Sequence, residues 1–200
     1  MNERYALTAE MSDLTGEFRV DRIEFPYYDN EDYRPTGQIP VIRRVGDERR
    51  LSGQRWGLMP YWGKSSLHAD RESLGEKPYL LYMLAKKRCV VPCSGMLFER
   101  DEGKYRSVYR REHASKKVFA AAGIYDVWLD SEKNEYPMCT IISVSRPSTQ
   151  IGSVPLVLEG DALDTWLDPR HNTADAMREF LRSVPEAEFR VELVSTAKSK

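Results

Sequence analysis

Polar and apolar positions alternate along this chain in short runs. "PVIRRV", "RRLSGQRWGL", "RCVVPCSGMLF", "YRSVYRRE", "KVFAAAGIYDVWL", "MCTIISVS", "PLVL" and "FRVELVS" are rich in β-branched or aromatic residues and are bounded by turn formers. Such runs predict strands. Helical spacing is rarer. "EKPYLLYMLAKK" sets Leu80, Met83 and Leu84 on one face, with Pro78 suited to its first turn. "NTADAMREFLRSV" carries Met177, Phe180, Leu181 and Val184 as an apolar stripe, capped by Asn172 or Thr173. "DALDTWL" predicts a short helix. "YYDNEDYRPTGQIP", punctuated by Pro35, Gly37 and Pro40, reads as a long surface loop. Many strands and few peripheral helices predict an α+β fold whose antiparallel sheet curls into a barrel or sandwich.

The length fits one domain over residues 1–200. No apolar run approaches ~18 residues, so no membrane span is expected. Nor do the first residues show the basic and apolar regions of a signal peptide. Cys89, Cys93 and Cys139 are odd in number and lack zinc or thioredoxin spacing, which fits a reducing cytosol and a cytoplasmic protein. "RCVVPC" reads as a buried strand with inert thiols. The chain has no HExxH, no paired CxxC, no P-loop and no GxGxxG, so neither a metal nor a cofactor is expected.

The formal net charge of -1 gives no bulk attraction to nucleic acid. Its distribution is uneven. Glu10, Asp13, Glu17, Asp21, Glu24, Asp29, Glu31 and Asp32 make the first stretch acidic. The middle is basic, through Arg34, Arg43, Arg44, Arg49, Arg50, Arg55, Lys64, Lys86, Lys87, Arg88 and several residues from Arg106 to Lys117. These bases either line one groove along a phosphate backbone or lie scattered on solvated strand faces.

Candidate chemistry is sparse. His113 in "RREHASKK" and His171 in "DPRHNT" read as solvated. His68 lies beside Asp70, Arg71 and Glu72, an arrangement that suits either a general acid–base or a surface loop with local hydrogen bonds. In "RWGLMPYWGK", Trp56 reads as core. Tyr61 and Trp62 either stack on bases or cover a sheet edge.

"RYAL", "RPTGQIPVIR", "RWGLMPYWGK", "ADRESLGEKP", "KRCVVPCSG", "FAAAGIYDVW", "TIIS" and "PLVL", in that order from Arg4 to about Ser195, resemble the SOS-response-associated peptidase (SRAP) family. The resemblance implies a β-rich domain with a positively charged cleft for single-stranded DNA, and recognition of abasic sites with formation of a DNA–protein crosslink. The family's chemistry uses a Cys directly after the initiator Met, assisted by an Asn, a Glu and a His. This chain has Asn2 at the nucleophile position and Glu3 where the family has Gly. Asn2 is also bulkier than the residues that normally permit removal of Met1. His68 stands at the family Asn, Asp70 at its Arg with Arg71 one place along, and Glu72 keeps the motif's Glu. Phe98 is in register with the catalytic Glu, with Glu99 one place later, and Ile151 or Gly152 replaces the His.

The resemblance therefore implies a degenerate site at Asn2, His68, Glu99 and Gly152. It implies a nucleic-acid surface using Arg4 on phosphate, Pro40 and Trp62 against bases, and Arg71, Ser143 and Ser145 near the strand. Glu3 and Asp70 oppose it electrostatically. The expected function is non-covalent binding of single-stranded or abasic-site DNA by a SRAP-like protein that has lost crosslinking and self-processing. One alternative is a scaffold repurposed for a protein or small ligand. Another is an active enzyme using His68 with Glu99 or Glu72.

Overall fold

The computed structural model describes residues 4–58, 66–145 and 153–198. The chain runs through β1 (Arg4–Leu7), α1 (Met11–Phe18), β2 (Arg22–Ile23), β3 (Asn30–Tyr33), β4 (Gln38–Val45), β5 (Glu48–Trp56) and β6 (His68–Asp70). It continues with α2 (Pro78–Lys86), β7 (Arg88–Cys93), β8 (Gly95–Asp101), β9 (Tyr105–His113), β10 (Phe119–Leu129) and β11 (Glu135–Val144). The last elements are β12 (Val154–Pro155), β13 (Val157–Leu158), α3 (Asp161–Leu167), α4 (Ala174–Ser183) and β14 (Phe189–Lys198).

Five strands close a barrel. β5 pairs with β4, β4 with β7, β7 with β10, and β10 with β11, all antiparallel. A short parallel contact, Met138 opposite Arg55 and Cys139 opposite Trp56, then joins β11 back to β5. β7 is buried along its whole length. That explains its unbroken apolar run, because the barrel takes one face and helices α2 and α3 pack against the strand. Arg88 fastens those helices, donating to the carbonyls of Leu84 and Ala85 on α2 and of Trp166 and Asp168 at the end of α3.

A second sheet has the order β14–β9–β8–β1–β3. A single residue, Ser94, separates barrel strand β7 from β8 of this sheet. Its amide donates to the Ala6 carbonyl at 2.8 Å. The sheets share one core: the fully buried Tyr5 ring stacks on Tyr33 at 4.8 Å and meets the Trp56 edge at 5.5 Å.

Two expectations need correction, on the long loop and on His113. The stretch read as a long loop contains β3, which pairs with β1 because Tyr33 supplies a stacking partner for Tyr5. The acidic first stretch contains α1, which buries Leu14 and Phe18 and ends at Arg19 in the left-handed region (φ 50°). His113 is buried rather than solvated, between Phe119 and Phe189 at the end of β9. Charge is also arranged differently from one basic groove. Acids of the first stretch pair with bases of the middle: Glu24 with Arg50 at 3.0 Å, Glu17 with Lys116 at 3.3 Å, and the Asp21 carboxylate with the Arg49 amide at 2.7 Å.

Candidate functional site

Arg4 opens β1 opposite Leu97 of β8. Its Nη1 lies 3.2 Å from Asp32 Oδ1, while Arg34 takes the other carboxylate oxygen at 2.7 Å. Hydrogen bonding from Arg34 and the charge of Arg4 hold the Asp32 pKa below its usual value, against the opposing effect of burial. β8 continues past Leu97 to Phe98 and Glu99. Phe98 is buried, stacked on Tyr109 at 5.6 Å with the Arg111 guanidinium 4.6 Å above its ring. Arg111 in turn donates to the Ser153 carbonyl at 2.7 Å. Successive strand residues face opposite ways, so Glu99 leaves the sheet on the other side. It stands 4.0 Å from Arg106 of β9. Of the two residues near the family Glu, Phe98 packs and Glu99 presents the carboxylate.

His68 opens β6, which lies parallel to β11 with His68 opposite Ile141. The Trp56 ring lies edge-on to it at 5.8 Å, and the Trp56 indole donates to the Leu67 carbonyl at 3.0 Å. Tyr5, Trp56 and His68 therefore form a chain of ring contacts from β1 through the barrel wall to β6. Two residues on, Asp70 sits opposite Ser143 and accepts from the Ser145 hydroxyl. The Arg71 amide donates to the Ser143 carbonyl at 2.8 Å. The Arg71 guanidinium reaches Glu72 at 3.2 Å and Glu186 at 3.5 Å.

The structure thus brings His68, Arg71 and Ser145 to one edge of β11, whereas Arg4 and Glu99 stand on the β1–β8 pair of the second sheet, on the face opposite to Tyr5. Pro40 stands elsewhere, buried in β4 opposite Gly53. Asn2, Trp62 and Gly152 lie outside the described residues. Sequence reasoning missed Asp32 as the partner of Arg4, Arg106 beside Glu99, and Arg111 over Phe98. The alternation of "YRSVYRRE" carried the signal for both arginines, but only the strand pairing shows which residues they meet.

Chemically, this region offers a carboxylate flanked by guanidinium groups and a row of hydroxyl and amide donors. It offers no accessible thiol among the described residues, since Cys89, Cys93 and Cys139 are buried and burial pushes each pKa up. The described residues also contain no cluster of three or more His, Cys, Asp or Glu able to hold a metal ion. No helix among them is long and apolar enough to cross a membrane.

A family model described as SOS response associated peptidase (SRAP) matches residues 1–200. Curated relatives include abasic site processing protein YoqW of Bacillus subtilis (strain 168), 29% identical over 192 residues, spanning 90% of this chain and 85% of that protein. YobE, an abasic site processing protein of the same organism, is 29% identical over 191 residues, spanning 89% and 87%. Among solved structures, a protein from Bacteroides thetaiotaomicron superposes with a TM-score of 0.77 at 20% identity, covering 96% of this chain and 91% of that one. A phage-related protein from Bordetella bronchiseptica gives the same TM-score at 19% identity, covering 96% and 93%. At these identities the structural likeness speaks for the fold alone.

Proposed function

Since the chain belongs to the SOS response associated peptidase family, we propose that it binds single-stranded or abasic-site DNA without closing a durable covalent bond. The relatives named above are abasic site processing proteins, which supports abasic DNA as the ligand. One observation carries the loss of chemistry: Asn2 occupies the position at which the family resemblance requires a Cys.

The consequence follows from the bonds involved. An α-amine attacks the aldehyde of an abasic site and, with loss of water, gives an imine. A neighbouring thiol adds across that imine and closes a thiazolidine ring. Asn2 supplies no sulfur, so any imine hydrolyses back to amine and aldehyde. An α-amine with pKa near ~8 is partly neutral at physiological pH, so transient capture remains chemically open. The three thiols of the chain are buried and cannot substitute. Ile151 or Gly152 at the family His position donates no side-chain proton, leaving Glu99 beside Arg106 as the ionisable pair nearest the family Glu position. Free, buried thiols also suit a reducing compartment, and we place the protein's action in the cytoplasm.

The test uses labelled single-stranded DNA with and without an abasic site. A native gel at several salt concentrations is expected to show a complex that weakens as salt rises. A heated denaturing gel is expected to show no shifted band. A heat-stable band would overturn the loss of crosslinking and restore the reading in which His68 acts with Glu99 or Glu72.

A second reading has its own support. Arg4 already faces Asp32, and Arg71 already faces Glu72 and Glu186, so the cations expected on phosphate carry acidic partners of their own. That arrangement suits a scaffold repurposed for a protein or small ligand. Absence of any DNA complex at low salt would decide for it.

A further inference from the structure

Among the described residues, β14 is the outermost strand of the second sheet and is hydrogen-bonded only to β9. After Phe189, every residue of the strand is exposed, with Val191 at 38%, Leu193 at 57% and Val194 at 54%. The register shifts between Leu193 and Ser195, and of the two regular segments on either side of that shift the first is Phe189–Leu193. It contains no proline to block further pairing. An exposed, regular edge of this kind offers unpaired backbone groups to another strand.

The sequence of that part is self-complementary. Phe189, Arg190, Val191, Glu192 and Leu193 read apolar, positive, apolar, negative, apolar. We infer that β14 pairs antiparallel with β14 of a second copy of this chain, about a two-fold axis through Val191. Arg190 then faces Glu192 of the second copy, twice, and Phe189 faces Leu193 of the second copy, twice. Each pair lies on one face of the joined sheet, as strand alternation requires.

Charge selects this register. Centring the pair on Arg190 sets guanidinium against guanidinium, and centring it on Glu192 sets carboxylate against carboxylate. Parallel pairing in register does both. Only the Val191 centre gives opposite charges throughout. The pattern also continues what exists within one copy, where Arg190 sits opposite Glu112 and Glu192 opposite Arg110. A second β14 extends both rows with the sign alternating at each step. Five residues from each copy make a small interface, so the dimer is weak and concentration-dependent.

Sedimentation velocity on the full chain, from low to high micromolar, tests this. The wild type is expected to pass from monomer to dimer. Arg190→Glu and Glu192→Arg each place like charges across the axis and are expected to weaken self-association at least tenfold. An equimolar mixture of the two variants is expected to form a heterodimer, since every cross-strand pair is then opposite in sign. Circular dichroism checks that each variant is folded. Val191→Lys keeps both charge rows, sets two ammonium groups at the axis, and is expected to remain monomeric. A wild type that stays monomeric throughout overturns the inference and leaves the edge to a strand of another protein. Folded variants that dimerise like the wild type, or a mixture that does not associate, overturn it equally.

Discussion

The guanidinium of Arg88, on barrel strand β7, donates to the backbone carbonyl of Trp166 at 2.6 Å and lies 5.7 Å from the centre of the same residue's indole ring. The indole N–H returns a bond at 2.8 Å to the carbonyl of Cys89, the next residue on β7. Barrel and helix α3 are thus tied by a reciprocal pair. The same guanidinium serves Leu84, Ala85 and Asp168. These are carbonyls at the C-terminal turns of α2 and α3, where helices run out of internal donors.

Arg88→Met is therefore expected to leave several buried carbonyls unpaired and to destabilise the protein by about 3–5 kcal/mol. Arg88→Lys should recover part of this, because an ammonium reaches fewer of the four acceptors. Urea unfolding of the three proteins checks it. Equal midpoints for wild type and Arg88→Met would remove Arg88 from the account of how the helices are held.

Gly123 marks how tightly the barrel wall closes. A Cβ there would lie 3.0 Å from the Cys89 sulfur and 3.0 Å from the Thr140 carbonyl. Gly123→Ala is expected to cost about 1–3 kcal/mol through overpacking. Adding Cys89→Ala removes the sulfur but not the Thr140 carbonyl, so the double variant should recover only part of the loss in thermal unfolding.

His113 makes stability depend on pH. Burial holds its pKa below the usual value; the Glu159 charge opposes this and the Lys116 charge adds to it. Its Nδ1 accepts from the amides of Ser115 and Lys116 at 3.3 and 3.2 Å, and its Nε2 faces Glu159 at 3.4 Å. Lys116 in turn pairs with Glu17 of α1. The unfolded chain takes the proton first as pH falls through about 6.5. The contribution is therefore complete above about pH 6.5 and is lost as pH drops towards the depressed folded value. His113→Asn keeps a side-chain acceptor and should flatten the dependence of the urea midpoint between about pH 7.5 and 5.5. An unchanged slope would count against this role.

Installing a thiol tests what remains of the site. Asn2→Cys supplies both the small residue that permits removal of Met1 and the sulfur that closes a ring on an imine. It is expected to yield a slow, heat-stable band with abasic single-stranded DNA, slow because Ile151 or Gly152 still offers no proton. Intact mass spectrometry should show Met1 retained in the wild type and removed in the variant. A processed variant with no band would mean that the scaffold no longer presents the amino terminus to the aldehyde.

Much of the fold was legible because local pattern and final environment agree. The apolar run of β7, the alternation of β9 and the helical stripe of α4 each state their own burial. What escaped depends on partners distant in sequence. β3 is a strand because Tyr33 meets Tyr5, and nothing within "NEDY" announces that. The barrel closes through two residue pairs between β5 and β11. His113 looked solvated among charged neighbours, yet β14 brings Phe189 over it from the far end of the chain. For the site, residue identities came from the order of motifs, whereas the pairing of Arg4 with Asp32 and of Glu99 with Arg106 came only from the folded strands.

The position of β1 between β3 and β8 bears on how the protein is made. Tyr5 pairs with Tyr33 on one side and with Met96 on the other. β1 is thus synthesised long before the strand that completes its hydrogen bonding, and Tyr5 stays exposed until the chain through Met96 has been built. Contacts so far apart in sequence slow folding relative to helical domains and prolong the time an unpaired strand is open to aggregation. The strand that carries Arg4 of the site is therefore also among those with the longest wait for a partner.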